Sequence, residues 1–240
     1  MSATQVRERP VEQSSNVAAR LGGALWLACI VTSMFSFFAD SQLIVRGNAA
    51  ETAAAIAANQ QLFRAGFTAD VLSGLTYMGV TAALYHLLKP AGRSLSLAAA
   101  LFGAGGIAIG GVAFLAHVAP VVLLNGDSYL SAFTSNQLEA AAILALKLRA
   151  AEFAIGMLFF GVQIFLVGRL IARSTILPRT FGVLLTIAGP AYVAGALATL
   201  LSPSLGAVLM PLTMAFALVA EGSLTAWLLV KGASPSKESR

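Results

Sequence analysis

The sequence predicts an all-α polytopic membrane protein: a six-transmembrane-helix bundle with two short extracytoplasmic surface helices. Three observations predict it. Of 240 residues, 58% are hydrophobic and only 10% are Asp, Glu, Lys or Arg, less than half the roughly 25% charged residues of soluble domains. Mean hydropathy is +0.83. The apolar residues also fall into six runs, each near the ~20 residues an α-helix needs to cross a bilayer core. This composition excludes a soluble globular chain and a disordered one. Cys29 is the only cysteine, so no disulfide, zinc cluster or CxxC couple is expected.

The elements follow in order. Residues 1–19 are polar and unpatterned and read as a disordered cytoplasmic tail. Arg20 then opens an apolar run to Ala39. That run is long enough to span and lacks a small-x-small cleavage site, so it reads as a retained first helix, 20–40. Five more spans are expected at 65–88, 95–120, 150–172, 180–201 and 207–230. Lys89-Pro90-Ala91-Gly92 stops the second. Pro120 and Asn125-Gly126-Asp127 stop the third. Leu177-Pro178-Arg179 and Ser202-Pro203 separate the last three. Residues 20–232 thus form a single transmembrane domain, and 233–240 a cytoplasmic C-terminal tail.

The basic residues set the topology. With the N-terminus inside, 11 of 15 Lys and Arg are cytoplasmic, and only Arg46, Arg64, Lys147 and Arg149 lie outside, so both termini should be cytoplasmic. The net charge of +5 is therefore sorted by membrane side, not gathered into a nucleic-acid patch. Two outer segments look alike: Asn48 to Glu51 and Asn136 to Glu139 each open an Ala-rich stretch, reaching Arg64 and Arg149. An Asn with a Glu three residues later resembles a capping box and predicts a short surface helix at each place. Spans one and two would then repeat as spans three and four in parallel.

Within the spans, polar residues at helical spacing mark faces turned away from lipid. These are Cys29, Ser33, Ser36 and Asp40; Asp70, Ser73, Gly74, Tyr77 and Thr81; Gly103, Gly106, Gly110 and His117; and Arg149, Glu152, Gly156 and Gln163. Small residues on such faces let helices approach closely. Glu221 stands ten residues before Lys231, about 15 Å deep, at the midplane. A charge there costs at least about 2.5–3.5 kcal/mol. It is therefore a substrate contact, a proton carrier or interhelical glue, with Gln163 and Tyr77 as partners at matching depth. Asp40, Arg64, Asp70, Arg149 and Glu152 form an outer group, in which Arg149 and Glu152 can pair on one helix. His117 and His86 read as interfacial residues. There is no H-E-x-x-H, G-x-S-x-G or P-loop, and two His with one Cys cannot build a typical zinc site. These absences argue against catalysis while leaving it a third reading, and no cofactor is expected.

Several short motifs in this order carry a resemblance: Ser41-Gln42-Leu43-Ile44-Val45-Arg46-Gly47-Asn48, Leu62-Phe63-Arg64-Ala65-Gly66 with Asp70, Leu84-Tyr85-His86-Leu87-Leu88-Lys89-Pro90, Phe159-Phe160-Gly161, Leu177-Pro178-Arg179-Thr180-Phe181-Gly182, and Glu221 with Trp227-Leu228-Leu229-Val230-Lys231. The chain from about 18 to 233 resembles the bacterial membrane-protein family catalogued as domain of unknown function 4386. The resemblance implies six helices and a bacterial cytoplasmic membrane. It implies no activity. The residues support a protein that binds or transports a small or amphiphilic molecule through an outward-open cavity, lined by Arg64, Asp70, Arg149 and Glu152 and reaching Tyr77, Gln163 and Glu221. The alternative is a non-catalytic accessory or sensor subunit, with intramembrane catalysis third. The expected partners are membrane lipid, a small-molecule ligand, and a second copy or a membrane partner protein. Nucleic acid is not expected. With Cys29 replaced by Ala, cysteines placed at Ala55 and Ser236 are expected to react with impermeant maleimide from opposite sides of the membrane; labelling from one side would refute the six-span topology.

Overall fold

A computed structural model describes residues 3–45 and 47–233. Residues 1–2, 46 and 234–240 lie outside it, as do the side chains of 3–15. Residues 1–2 of the tail expected at 1–19, residues 234–240 of the tail expected at 233–240, and Arg46 therefore lie outside the described residues, while the backbone of 3–19 is the beginning of α1.

The described chain is helical: α1 Ala3–Leu43, α2 Ala49–Ala58, α3 Gln60–Leu88, α4 Arg93–Leu123, α5 Ser135–Arg173, α6 Arg179–Leu201 and α7 Pro203–Val230, with 3-10 turns at Lys89–Ala91 and Ser128–Ala132. Six stretches are long and apolar enough to cross a membrane: Asn16–Leu43, Gln60–Ala91, Arg93–Leu123, Ser135–Arg173, Arg179–Leu201 and Pro203–Val230. Each contains one expected span and extends beyond it. Pro120 lies inside α4 and does not stop it; the helix runs three residues further, to Leu123. The surface suits lipid and not water. Phe37, Leu115 and Leu201 are 76%, 70% and 80% exposed, while Ser36, Thr81, Ser96, His117 and Gln163 are buried, a placement that water would penalise and hydrocarbon favours.

One of the two expected surface helices stands alone. At α2, Asn48 accepts a hydrogen bond from the Glu51 amide at 3.1 Å, as the sequence predicts. The Thr52 hydroxyl accepts from the Val45 amide at 3.0 Å and reaches the Asn48 carbonyl at 2.8 Å, tying α2 to the turn before it. Asn59 caps α2, so the helix ends well short of Arg64. The second stretch is not a separate helix but the beginning of α5. Its cap also differs from the Asn136–Glu139 expectation. The Thr134 amide donates to the Gln137 side chain at 2.9 Å, and the Gln137 amide donates back to the Thr134 hydroxyl at 3.4 Å, a capping box two residues earlier. The two look-alike segments thus share composition, not architecture.

The chain forms two compact units. Unit 1 is Met1–Ala28, Thr76–Ile107 and Ala154–Arg240; unit 2 is Cys29–Leu75 and Ala108–Phe153. In unit 2, Leu43, Ile56, Phe63, Val121 and Leu146 form one apolar cluster. It joins the end of α1 to α2, α3, α4 and α5. In unit 1, α5 and α6 meet backbone to backbone. A Cβ on Gly161 would come within 2.8 Å of the Gly189 carbonyl oxygen, and one on Gly189 within 2.6 Å of that of Gly161. Gly168 and Gly182 repeat this reciprocity at 2.8 and 2.9 Å. The pairs are seven residues apart on both helices, the spacing at which two helices in shallow crossing meet again. Gly189→Ala is expected to destabilise the protein by about 1–3 kcal/mol, the usual cost of overpacking. Gly111→Ala, where nothing lies within 4 Å of the added carbon, is not. Melting of the purified protein in nanodiscs reads the difference.

Candidate functional site

The buried polar groups gather into one constellation in unit 2 and two in unit 1. In unit 2 four helices each supply one ionisable residue: Asp40 from α1, Asp70 from α3, His117 from α4 and Arg149 from α5. Arg149 forks between the two carboxylates, Nη1 donating to Asp40 Oδ2 at 2.6 Å and Nη2 to Asp70 Oδ2 at 2.8 Å. On the other side stands His117. Its Nδ1 is 2.9 Å from Asp70 Oδ2 and its Nε2 is 3.2 Å from Asp40 Oδ1. The four residues close a ring of alternating basic and acidic groups. The Nδ1 contact is a hydrogen bond. The Nε2 contact lies at ion-pair distance without the alignment of one. Phe63 and Phe67 set their rings edge-on to the imidazole at 5.2 and 5.7 Å between centroids, and the His117 side chain is fully shielded.

Donor counting favours a proton on this ring. A neutral imidazole has one N–H and one lone pair, and an ionised carboxylate can only accept. Either neutral tautomer would turn a lone pair toward a carboxylate oxygen about 3 Å away. The imidazolium removes that repulsion: Nδ1–H donates to Asp70, and the second N–H stands beside Asp40 without hydrogen-bond alignment. Charge counting agrees: two carboxylates and one guanidinium sum to −1, and the imidazolium brings the ring to zero.

Unit 1 holds the other two groups. Tyr77 donates to Gln163 Oε1 at 3.1 Å, and Gln163 Nε2 donates to Thr81 at 3.1 Å. Gly103 makes room for this amide: a Cβ there would meet it at 2.5 Å. A small space of about 10 Å³ adjoins Gln163, Thr81 and Ser96, enough for one water at most. Glu221 accepts from Trp26 Nε1 at 3.1 Å and is hydrogen-bonded to the Tyr192 hydroxyl.

Several sequence expectations change here. Tyr77 and Gln163 do meet, but they bond to each other and to Thr81, not to Glu221. The partners of Glu221 are Trp26 and Tyr192. Arg149 spends both its Nη groups on Asp40 and Asp70 rather than on Glu152, whose Oε2 is buried without a hydrogen-bond partner. Arg64 is exposed and joins no ion pair among the described residues. His117 is no interfacial residue but the centre of the charged ring. His86 is exposed, with Lys89 Nζ 3.3 Å from its Nδ1. Signals for the missed groups existed. His117 lies seven residues after Gly110 on the glycine-lined face of its helix, and Trp26 lies three before Cys29 on the polar face of α1. Tyr192 stands midway between Gly189 and Gly195, which keep its side of α6 against neighbours.

Removing one partner of a buried ion pair leaves the other uncompensated. Arg149→Met strands two aspartates and is expected to cost about 3–5 kcal/mol of stability. Arg64→Met is expected to cost under about 0.5 kcal/mol. Denaturant titration of both variants in mixed micelles measures the contrast.

Comparison with known proteins places this geometry in a family without assigning it a task. None of the curated proteins compared matches the chain, and no solved structure does. A family model described as "Domain of unknown function (DUF4386)" matches residues 21–232, most of the chain and all six membrane-crossing helices in whole or greater part. The chain belongs to that family.

Proposed function

We propose that this multi-pass membrane protein is proton-responsive: a non-catalytic sensor or accessory subunit whose state is set by one proton in the Asp40–Asp70–Arg149–His117 ring. The observation that supports this reading is the position of His117 between two carboxylates that Arg149 already bridges. Histidine exchanges its proton near neutral pH more readily than any other side chain. With the proton the ring is neutral. Without it one negative charge is left over among apolar helices, where uncompensated charge is expensive. The four groups come from α1, α3, α4 and α5, so gain or loss of the proton acts on the contact of four helices at once. That is the element a switch requires: a local charge change biasing an arrangement of helices.

A carrier, the reading the residues first suggest, asks for a solvent-filled chamber. The space beside Gln163 is too small for a solute, and Asp40, Asp70 and Arg149 in unit 2 and Tyr77, Gln163 and Glu221 in unit 1 each have hydrogen-bond partners within their own unit.

The sign follows from the charge count. The imidazolium holds the ring together, so its stabilisation is present while the proton is bound and is lost as pH rises and the proton leaves. Wild-type protein in nanodiscs is expected to melt at progressively lower temperature as pH rises from 5 to 9. His117→Gln is expected to flatten that dependence, and His86→Gln to leave it intact. An unchanged slope in His117→Gln would sink the proposal. Should that variant fail to fold, histidine ¹⁵N spectra of the wild type serve instead: one imidazole is expected to keep both N–H protons at a pH where a free histidine side chain has lost one.

A further inference from the structure

We propose that the groove between α5 and α6 holds an anionic glycerophospholipid, with its phosphate on Arg169, Arg173 and Arg179 and an acyl chain along Phe165, Val183 and Ile187. The glycine pairs Gly161–Gly189 and Gly168–Gly182 run in opposite order along the two helices, so the helices are antiparallel. Each side chain can then be placed by its rotation from this seam, at about 100° per residue. On α5, Arg169 follows Gly168 by one position and stands about 100° forward of it. Arg173 follows Ala172, whose amide nitrogen a Cβ on Gly182 would meet at 2.7 Å, and stands at the same angle. On α6, Arg179 precedes Gly182 by three positions, a rotation of about 60° forward. In an antiparallel pair, forward rotations on the two helices lead to the same side of the seam. The three arginines therefore share one side.

The opposite side is filled. Ile171, two positions from both Arg169 and Arg173, is fully buried. Phe181, two positions from Arg179, sets its ring 5.6 Å from that of Trp227 on α7. Each arginine is thus about 200° around its helix from packed neighbours, and all three are exposed. Gly182 meets α5 between Gly168 and Ala172, so Arg179, three residues earlier, stands level with Arg173, and Arg169 lies one turn deeper. Below the arginines the same side is apolar. Phe165 stands one turn before Arg169, Val183 one turn after Arg179 and Ile187 a turn beyond, all exposed. The loop joining the helices is fixed: Leu177 is buried, and the Ser174 hydroxyl donates to the Ile171 carbonyl at 3.0 Å. No described residue neutralises the three cations. Glu221 is the one described acidic side chain of unit 1, and it is bonded to Trp26 and Tyr192. Unpaired positive charge at the membrane boundary, above an apolar groove, complements an anionic headgroup and its chain. Guanidinium groups suit a phosphate because their N–H groups fork onto two of its oxygens.

Lipid titration tests this. Purified full-length protein, delipidated in a non-ionic detergent, is titrated with dioleoylphosphatidylglycerol or with dioleoylphosphatidylcholine, and bound lipid is counted by native mass spectrometry. Wild type is expected to bind the anionic lipid at least about tenfold more tightly than the zwitterionic one. Arg173→Gln combined with Arg179→Gln is expected to abolish that preference. Arg20→Gln combined with Lys231→Gln removes the same charge from exposed positions elsewhere in unit 1 and is expected to change it by less than about twofold. Excess glycerol phosphate, which has the headgroup charge without the chains, is expected to leave the lipid bound. A wild type without preference overturns the proposal. So do equal effects of the two double variants, which would mean attraction by surface charge at large, and displacement by glycerol phosphate, which would mean a site for free phosphate. A wild-type dimer that the Arg173 and Arg179 changes dissociate without loss of lipid would put a second copy in the groove and overturn it too. The wild-type preference and the competition need no substitution, so a misfolded variant does not blunt the test. No outcome bears on His117, whose test rests on other residues.

Discussion

Charge placed between the ends of these helices must be balanced from within the protein, because hydrocarbon offers neither dielectric nor hydrogen bonds. The arrangement of unit 2 follows from that constraint. Asp40 and Asp70 sit on different helices, and each needs a cation. Arg149 serves both because a guanidinium presents its N–H groups as a fixed fork, whereas a lysine would offer one compact charge. The remaining negative charge is met by His117, and the edges of Phe63 and Phe67 close the site. Four helices are thereby held by one closed circuit of charge. Such circuits are strong only when complete, since a buried ion stripped of its partner keeps the full cost of desolvation.

Unit 1 meets the same constraint without ions. Gln163, Tyr77 and Thr81 satisfy one another, and Glu221 is met by an indole and a phenol. Here the helices are held chiefly by shape. Apolar side chains gain little from leaving lipid for a helix surface, so close approach and dispersion contacts must do the work. Glycine permits that approach, and the reciprocal pairs Gly161–Gly189 and Gly168–Gly182 bring α5 and α6 together along two turns of contact. One unit relies on the charge circuit, the other on steric fit.

These differences bear on function. On the proposed reading, the proton on His117 makes the contact of four helices conditional on pH. A glycine seam has no such condition. Within each unit the polar residues act as partners of one another, and that is what supports the proposed reading.

The helices were legible in the sequence because membrane thickness and backbone hydrogen bonding leave few alternatives: an apolar run of some twenty residues must be helical. The α2 cap was legible because Asn48 and Glu51 are local, three residues apart. Asp40, Asp70 and Arg149 were legible as a group, since helical rise sets the depth of each. Partner choice was not. Depth placed Glu221 beside Gln163 and Tyr77, and polar spacing placed Arg149 beside Glu152, yet a residue's depth leaves its direction around the bundle open. That direction depends on which helices touch and how each is rotated, a matter settled by small residues such as Gly103 and Gly189 meeting particular neighbours. The sequence by itself determined class, spans and the depth of each polar group, because these follow from length and periodicity. Only the tertiary structure decided that His117 closes the ring and that Trp26 and Tyr192 hold Glu221, because residues far apart in sequence meet only when helix rotations are fixed together.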